Sequence, residues 1–331
     1  MRQEQLENWI QTIDDTAGGE VTLASGDASF RCYFRVRNGA TSFIVMDAPP
    51  KKEDSLPFIR VAGYLEAMRL NAPRVLDADL EQGFLLLTDL GDRQYLDELK
   101  SNSASADMLY ADAIEALAAM QRRGEAYQDL LPPYDEELLR FELSLFHDWL
   151  CGTHLGIEFS EQDEVAWRRC CDLLVESALS QPQVFVHRDY HSRNLMLMSS
   201  NNPGILDFQD AVEGPLTYDL VSLLKDCYVS WPTTRVRDWA MDFYALLPEH
   251  VRERVNEDEF LRFFELMGAQ RHLKAAGIFA RLNHRDGKTG YIADIPRTLN
   301  YIVELAPRYE ELGFVHRLIE EKVLPGLEAE A

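Results

Sequence analysis

Strand-like runs crowd the first third of this chain, and helical stripes fill almost all of the rest, broken by two short strand-like runs at Val184 to Val186 and Leu195 to Met198. Val21 to Ala24, Arg31 to Arg37, Ser42 to Met46 and Phe84 to Leu87 read as strands, the middle pair joined by the turn dipeptide Asn38-Gly39. Two helices accompany them: one over residues 1 to about 17, with Leu6, Trp9, Ile10 and Ile13 on one side, and one from about Pro57 to Arg69. After residue 93 the apolar spacing is helical. It predicts helices ending near Gly124, over Leu138 to Leu150 with Phe141, Leu145, Phe146 and Trp149 inward, and over 162–179. Five more follow, at 217–230, 233–246, 256–282, 290–304 and 308–323, and the tail from Leu327 to Ala331 reads as frayed. Segregation of this kind predicts an α+β fold in two lobes: a small β-rich one over 1–90 and a larger, mainly helical one over 91–331.

One stretch interrupts the helices. Short apolar runs at Val184 to Val186 and Leu195 to Met198 bracket His187-Arg188-Asp189-Tyr190-His191-Ser192-Arg193-Asn194, and Leu206-Asp207-Phe208 comes soon after. The pattern is H-x-D-x-x-x-x-N, with a second acid eighteen positions beyond the first. Phosphoryl transfer needs a group to accept or orient a hydroxyl proton and ligands for Mg²⁺, all aimed at one γ-phosphate, with little covalent chemistry besides. Asp189 suits the first task, and Asn194 and Asp207 suit the second.

These motifs resemble those of the protein-kinase-like superfamily. Only Ala211 to Thr217 separates the Asp207 motif from the helix opened by Tyr218-Asp219-Leu220, which leaves no room for a long activation segment. That is similar to the aminoglycoside phosphotransferase branch, whose substrates are small molecules. The resemblance implies a bilobal kinase-like fold, ATP and Mg²⁺, and a phosphate-covering hairpin at Ser25, Gly26 and Ser29. It also implies an adenine-reading hinge at the Thr88 carbonyl and Leu90 N–H, with Asp219 bracing the catalytic loop. A carboxylate at a helix N-terminus equally suits capping and the helix dipole. The Lys expected on the third strand is absent. Met46 stands there, which leaves Lys51, Lys52, Arg31 or Arg35 to anchor the nucleotide and Glu66 to partner whichever serves.

Within that branch, Val45 to Pro50, His187 to Asn194, Asp207 to Ala211, and Arg271 to Leu282 with Gly287-Lys288-Thr289-Gly290-Tyr291 resemble bacterial anomeric kinases of cell-wall recycling. The implied acceptor is a small amino sugar, N-acetylmuramate or N-acetylglucosamine. The helix from 256 bears on this acceptor, because its stripe Phe260, Phe264, Met267 continues as Arg271, Lys274, Ile278, Arg281. In a chain with net charge -23 such a basic face reads either as an anion-recognising acceptor site or as a salt-bridged surface. His191 and Arg193 of the catalytic loop join Arg271, Lys274 and Arg281 as acceptor candidates. A polycationic aminoglycoside fits this face poorly and remains the alternative acceptor; Met46 motivates a second alternative, a nucleotide-binding protein without turnover.

The acidic balance disfavours nucleic acid and anionic membrane as partners. Five scattered cysteines offer no zinc spacing and suit a reducing compartment. The polar, acidic first ten residues show no hydrophobic core of a signal peptide, and no apolar run approaches the roughly 18 residues of a membrane span. The expectation is a cytoplasmic monomer acting on a small molecule.

Overall fold

A computed structural model of the chain describes residues 2–26 and 30–330. They form two compact units. The first comprises Met1–Tyr95 and Asn194–Asp210, the second Leu96–Arg193 and Ala211–Ala331.

The first unit is built on a five-stranded antiparallel sheet of β1 (Glu20–Gly26), β2 (Cys32–Asn38), β3 (Thr41–Asp47), β4 (Val75–Asp79) and β5 (Phe84–Thr88). Its spatial order is β1-β2-β3-β5-β4. The β2–β3 hairpin turns at Asn38-Gly39, where Gly39 takes a positive φ of 60° that suits a residue without Cβ. Helix α1 (Arg2–Gln11) lays Leu6 and Ile10 on Val36, Phe43, Val45, Phe84 and Leu86, with Trp9 and Ile13 at the margin. It stops well short of residue 17. Thr16 Oγ donates to the Ile10 carbonyl at 2.7 Å, and Gly18 at φ 76° turns the chain into β1. Helix α2 (Leu56–Ala67) buries Phe58, Val61, Ala62 and Leu65.

The late segment of this unit carries β7 (Leu195–Met196) and β8 (Gly204–Ile205), which pair with each other. The Ile205 N–H donates to the Asn71 carbonyl at 2.7 Å, and Phe208 packs against Phe58 with ring centroids 4.7 Å apart.

The second unit is mostly helical. Its one ladder pairs β6 (Gln183–Val186) with β9 (Val212–Pro215). Its helices are α3 (Tyr95–Ser101, entered from the first unit), α4 (Ala106–Gly124), α5 (Glu136–Leu145), α6 (Glu161–Ser180), α7 (Tyr218–Leu224), α8 (Thr233–Leu246) and α9 (Glu249–Arg252). They continue with α10 (Glu257–Asp286), α11 (Ile295–Leu305), α12 (Gly313–Leu318) and α13 (Leu324–Glu330). The long α10 is the axis of this unit and packs on α5, α6, α7 and α11. It approaches α5 so closely at Gly277 that a Cβ there would lie 2.2 Å from the Leu145 carbonyl carbon.

Four sequence expectations are corrected here. Phe141 is not inward but 55% exposed, because the acid Glu142 takes the core position beside it. The helix over 138–150 is α5 followed by a π-helical turn at Phe146–His154, and the segment after Leu224 leaves the helix instead of running to 230. The tail is helical through Glu330 in α13, where Leu327 is 7% exposed, and Ala331 lies outside the described residues.

Candidate active site

The loop after β6 is held from beneath by two acids seven residues apart. Asp219, at the start of α7, accepts from the backbone N–H of His187 at 2.6 Å and of Arg188 at 2.9 Å. Asp226, two residues past α7, accepts from the Ser192 N–H at 3.0 Å and from the Ser192 hydroxyl. Between these anchors the Tyr190 hydroxyl donates to the Ala113 carbonyl at 2.9 Å, and the Asp189 N–H donates to His187 Nδ1 at 3.2 Å. Arg188 takes φ 78°, a left-handed conformation costing about 1–3 kcal/mol that persists only where surroundings over-determine it. Those surroundings are Asp219 on its N–H and Glu142 on its guanidinium.

Glu142 is the centre of a buried polar cluster. It is 2% exposed and accepts from Arg188, from Lys274 Nζ at 2.9 Å and from the Tyr134 hydroxyl. Lys274 also donates to the Tyr218 hydroxyl at 2.8 Å. The charges then fall on Asp189. Burial alone would push its carboxyl up, but Lys274, His191, Arg188 and Arg271 hold it below the usual carboxylate range. Asp189 is therefore ionised at neutral pH. His191 is lowered as well, by burial against the pull of Asp226 and Asp189, but for an imidazole that favours the neutral form. Burial outweighs the two N–H donors at Asp219 and pushes it up to about 7.

In the first unit, Asn194 Nδ2 donates to Asp207 Oδ2 at 3.2 Å, and Gln209 Nε2 donates to Asp207 Oδ1 at 2.8 Å. The Leu206 N–H donates to the Asn194 carbonyl at 2.9 Å, and Asp207 takes φ 63°. No group of three or more His, Cys, Asp or Glu that could hold a metal ion occurs among the described residues. A carboxylate and an amide oxygen side by side do suit Mg²⁺, which is commonly held by one or two protein ligands with water and phosphate oxygens completing its shell.

The nucleotide candidates lie in the same unit. Ser25 and Gly26 end β1, and Ser29 lies outside the described residues. Thr88 ends β5, with its hydroxyl accepting from the Arg74 N–H at 2.9 Å, and Leu90 is half-buried two residues on. Met46 is fully buried in β3. Arg35 is bound to Asp89 at 2.6 Å and to the Gly91 carbonyl at 2.7 Å, while Arg31 pairs with Glu53 at 3.1 Å. Lys51 is exposed, Lys52 lies 4.1 Å over the Phe30 ring, and Glu66 meets Arg74 at 3.9 Å on the surface.

Arg271, Lys274 and Arg281 of α10 are not a salt-bridged surface. Arg271 is 6% exposed and donates to Cys227 Sγ at 3.7 Å, and Lys274 is consumed by Glu142 and Tyr218. Arg281 is half-buried with its Nε buried and unbonded. Arg193 lies over Tyr228 at 4.7 Å and Tyr291 at 5.8 Å, with Phe279 stacked on Tyr291.

Residues 20–257 match the phosphotransferase enzyme family. The chain belongs to that family. It is 50% identical to the N-acetylmuramate/N-acetylglucosamine kinase of Pseudomonas aeruginosa, an alignment covering 96% of each protein. It is 46% identical to that of Pseudomonas putida, over 97% of this chain and 96% of the other. Among solved structures it is similar to choline kinase LicA from Streptococcus pneumoniae, with TM-score 0.64 and 12% identity over 92% of this chain and 99% of that one. The fold is thus the kinase-like one, with a small antiparallel sheet and a larger helical part.

Sequence reasoning missed several residues that shape this phosphotransferase. Glu142 looks like any acid in a charged helix, and its burial is set by partners some 46 and 132 positions away. Asp226 carried a faint signal, since it follows Asp219 by seven residues, but it lies outside the helix proper. Tyr228 belonged to no motif, and Tyr291 only closed the Gly287 to Tyr291 block, with no role read from it. Among the described residues no helix is long and apolar enough to cross a membrane.

Proposed function

We propose that the protein is an ATP- and Mg²⁺-dependent sugar kinase that phosphorylates the anomeric C1 hydroxyl of N-acetylmuramate and N-acetylglucosamine. The observation that carries this reading is Asp189: a half-buried carboxylate on a loop pinned at both ends and kept ionised by Lys274, Arg188 and Arg271, in a chain half identical to a kinase of those sugars. Asp189 accepts a hydrogen bond from the acceptor hydroxyl and orients it. An anomeric hydroxyl is more acidic than an ordinary alcohol, so orientation outweighs deprotonation. Asn194 and Asp207 would hold Mg²⁺, which when bound supplies charge neutralisation at the phosphate oxygens.

Residues 1–90 serve as the nucleotide lobe in this reading, with backbone groups at Ser25, Gly26 and Ser29 covering phosphates and Thr88 and Leu90 reading the base. Residues 91–331 carry the acceptor, met by His191, Arg193, Arg271 and Arg281. Lys274 contributes from inside, through its bond to Glu142 and its charge on Asp189. The enzyme works as a cytoplasmic monomer. A polycationic antibiotic as acceptor is disfavoured by the guanidinium of Arg271 next to the oriented hydroxyl.

ADP release with Mg-ATP against N-acetylmuramate, N-acetylglucosamine, kanamycin, homoserine and no acceptor tests the reading. Turnover with the two N-acetylated sugars alone is expected. Asp189→Asn should abolish it while ATP binding stays within a few-fold. Normal turnover by Asp189→Asn, or turnover with kanamycin instead, would overturn it.

A further inference from the structure

We propose that Arg271 reads an anionic substituent on the acceptor sugar and thereby sets a preference for the acidic over the neutral amino sugar. The inference rests on the sugar-kinase reading above and names the residue that would discriminate between its two acceptors. N-acetylmuramate differs from N-acetylglucosamine by a lactyl ether that ends in a carboxylate. A residue that tells them apart should therefore be a cation, close to Asp189, with donors left over after its own packing is satisfied.

Most of the basic residues on the second half of α10 fail that test. His272 is bonded to the Lys225 carbonyl at 2.9 Å. Lys274 spends its ammonium on Glu142 and Tyr218. His284 faces His154 at 3.0 Å, and Arg285 is held by Asp286 at 2.9 Å. Arg281 has no such partner, but it lies ten residues beyond Arg271, about 15 Å along the helix. Its charge is felt by Glu142, Arg285 and Asp286, not by Asp189. Arg193, on the catalytic loop, is engaged by the Tyr228 and Tyr291 rings and hydroxyls.

Arg271 remains. It makes no ion pair among the described residues, and its one hydrogen bond runs to a thiol, a weak acceptor, at 3.7 Å. A guanidinium carries five donors, and a buried one with a single weak partner is costly unless something else completes it. The charge is nonetheless kept: burial opposes it, while Cys227, Tyr218, Asp189 and Asp226 favour it. The unspent donors form a planar fork of the kind that binds carboxylates through two parallel bonds. Arg271 also lies beside the loop that carries Asp189: its partner Cys227 adjoins Asp226, which binds Ser192 three residues after Asp189, so a pyranose whose C1 hydroxyl is oriented by Asp189 would carry its C3 substituent towards this guanidinium. The family match also ends at residue 257, where α10 begins, so this helix lies outside the segment matched to the broader family.

The test compares acceptors before it compares proteins. Steady-state kcat/KM of the full-length enzyme is measured for N-acetylmuramate, its carboxamide and N-acetylglucosamine, then for Arg271→Met and Arg271→Lys, with thermal unfolding as the check on folding. The intact enzyme should prefer the acid to the carboxamide by about 10- to 100-fold, the span of a charge-assisted hydrogen bond. Arg271→Met should collapse that ratio towards one, and Arg271→Lys should keep part of it, because the charge survives without the fork. No preference in the unmodified enzyme would overturn the proposal even if the variants failed to fold. An equal loss on all three acceptors would also overturn it, placing the guanidinium on the transferred phosphoryl group. Failure of the unmodified enzyme to use either sugar would instead sink the sugar-kinase reading itself.

Discussion

Replacing Glu142 by Gln keeps the shape of the side chain and removes the charge on which two buried cations converge. In the native protein that carboxylate accepts from Arg188, Lys274 and Tyr134 while 2% exposed. The amide supplies one oxygen and turns an N–H₂ towards the other donors. Breaking a buried ion pair from one side costs about 3–5 kcal/mol, a large share of the roughly 5–15 kcal/mol that holds a typical domain together. Urea unfolding of both proteins at neutral pH should show that loss, and Glu142→Leu with Lys274→Met should recover only part of it, since one of the two stranded cations is removed while Arg188 remains. The pH dependence has a definite sign. Burial would raise Glu142, but Lys274, Arg188 and Tyr134 hold it below the usual carboxylate value. Its contribution is therefore present above the unfolded value of about 4.3 and lost as pH falls through the lower folded value. The difference between the two proteins should be full at neutral pH and shrink only in acid. A Glu142→Gln protein within about 0.5 kcal/mol of the parent at neutral pH, the range of an ordinary surface substitution, would refute the claim that these charges organise the cluster.

Other perturbations have equally direct readouts. Asp219→Asn should lower kcat by about one to two orders of magnitude, because one of the two oxygens that accept the loop N–H groups becomes an N–H₂, with ATP affinity little changed in a binding titration. The same variant should flatten stability against pH between about 4 and 7. Asp219 is raised to about 7, so its contribution is full below the unfolded value and fades as pH rises through 7. Gly277→Ala should destabilise by about 1–3 kcal/mol in urea unfolding, since its Cβ would overlap the Leu145 carbonyl carbon. Of the five thiols, Cys32 alone should react quickly with a thiol reagent at neutral pH. Cys151, Cys170, Cys171 and Cys227 are buried, with Cys171 pushed up to about 12, and all five should react after denaturation.

Much of this architecture was legible in the order of residues, and the exceptions share a cause. The H-x-D-x-x-x-x-N spacing, the Asn38-Gly39 turn and the stripes that became α4, α6 and α8 are local patterns, set by neighbours within a turn or two. Asp219 bracing the loop was expected from resemblance, and its two short hydrogen bonds give it that geometry. Phe141 was misjudged because hydrophobicity alone made it the inward residue of its turn. The inward place belongs to Glu142, whose partners come from α10 and the loop after β6, so no window along α5 contains the reason. Lys274 and Arg271 looked alike on one stripe, yet a carboxylate and a phenol take up the first and a thiol barely touches the second.

The first unit is discontinuous in sequence, and this sets a timetable for making it. Its sheet and two helices are complete by residue 95, but β7, β8 and the Asp207 turn that belong with them emerge only with residues 194–210. Until then the Asn71 carbonyl lacks the Ile205 N–H, and Phe58 lacks the Phe208 ring. At about 5–20 residues per second, a ribosome leaves the nascent sheet in that unfinished condition for roughly 5–20 s. The small unit, although made first, cannot be finished before nearly two-thirds of the chain has been synthesised.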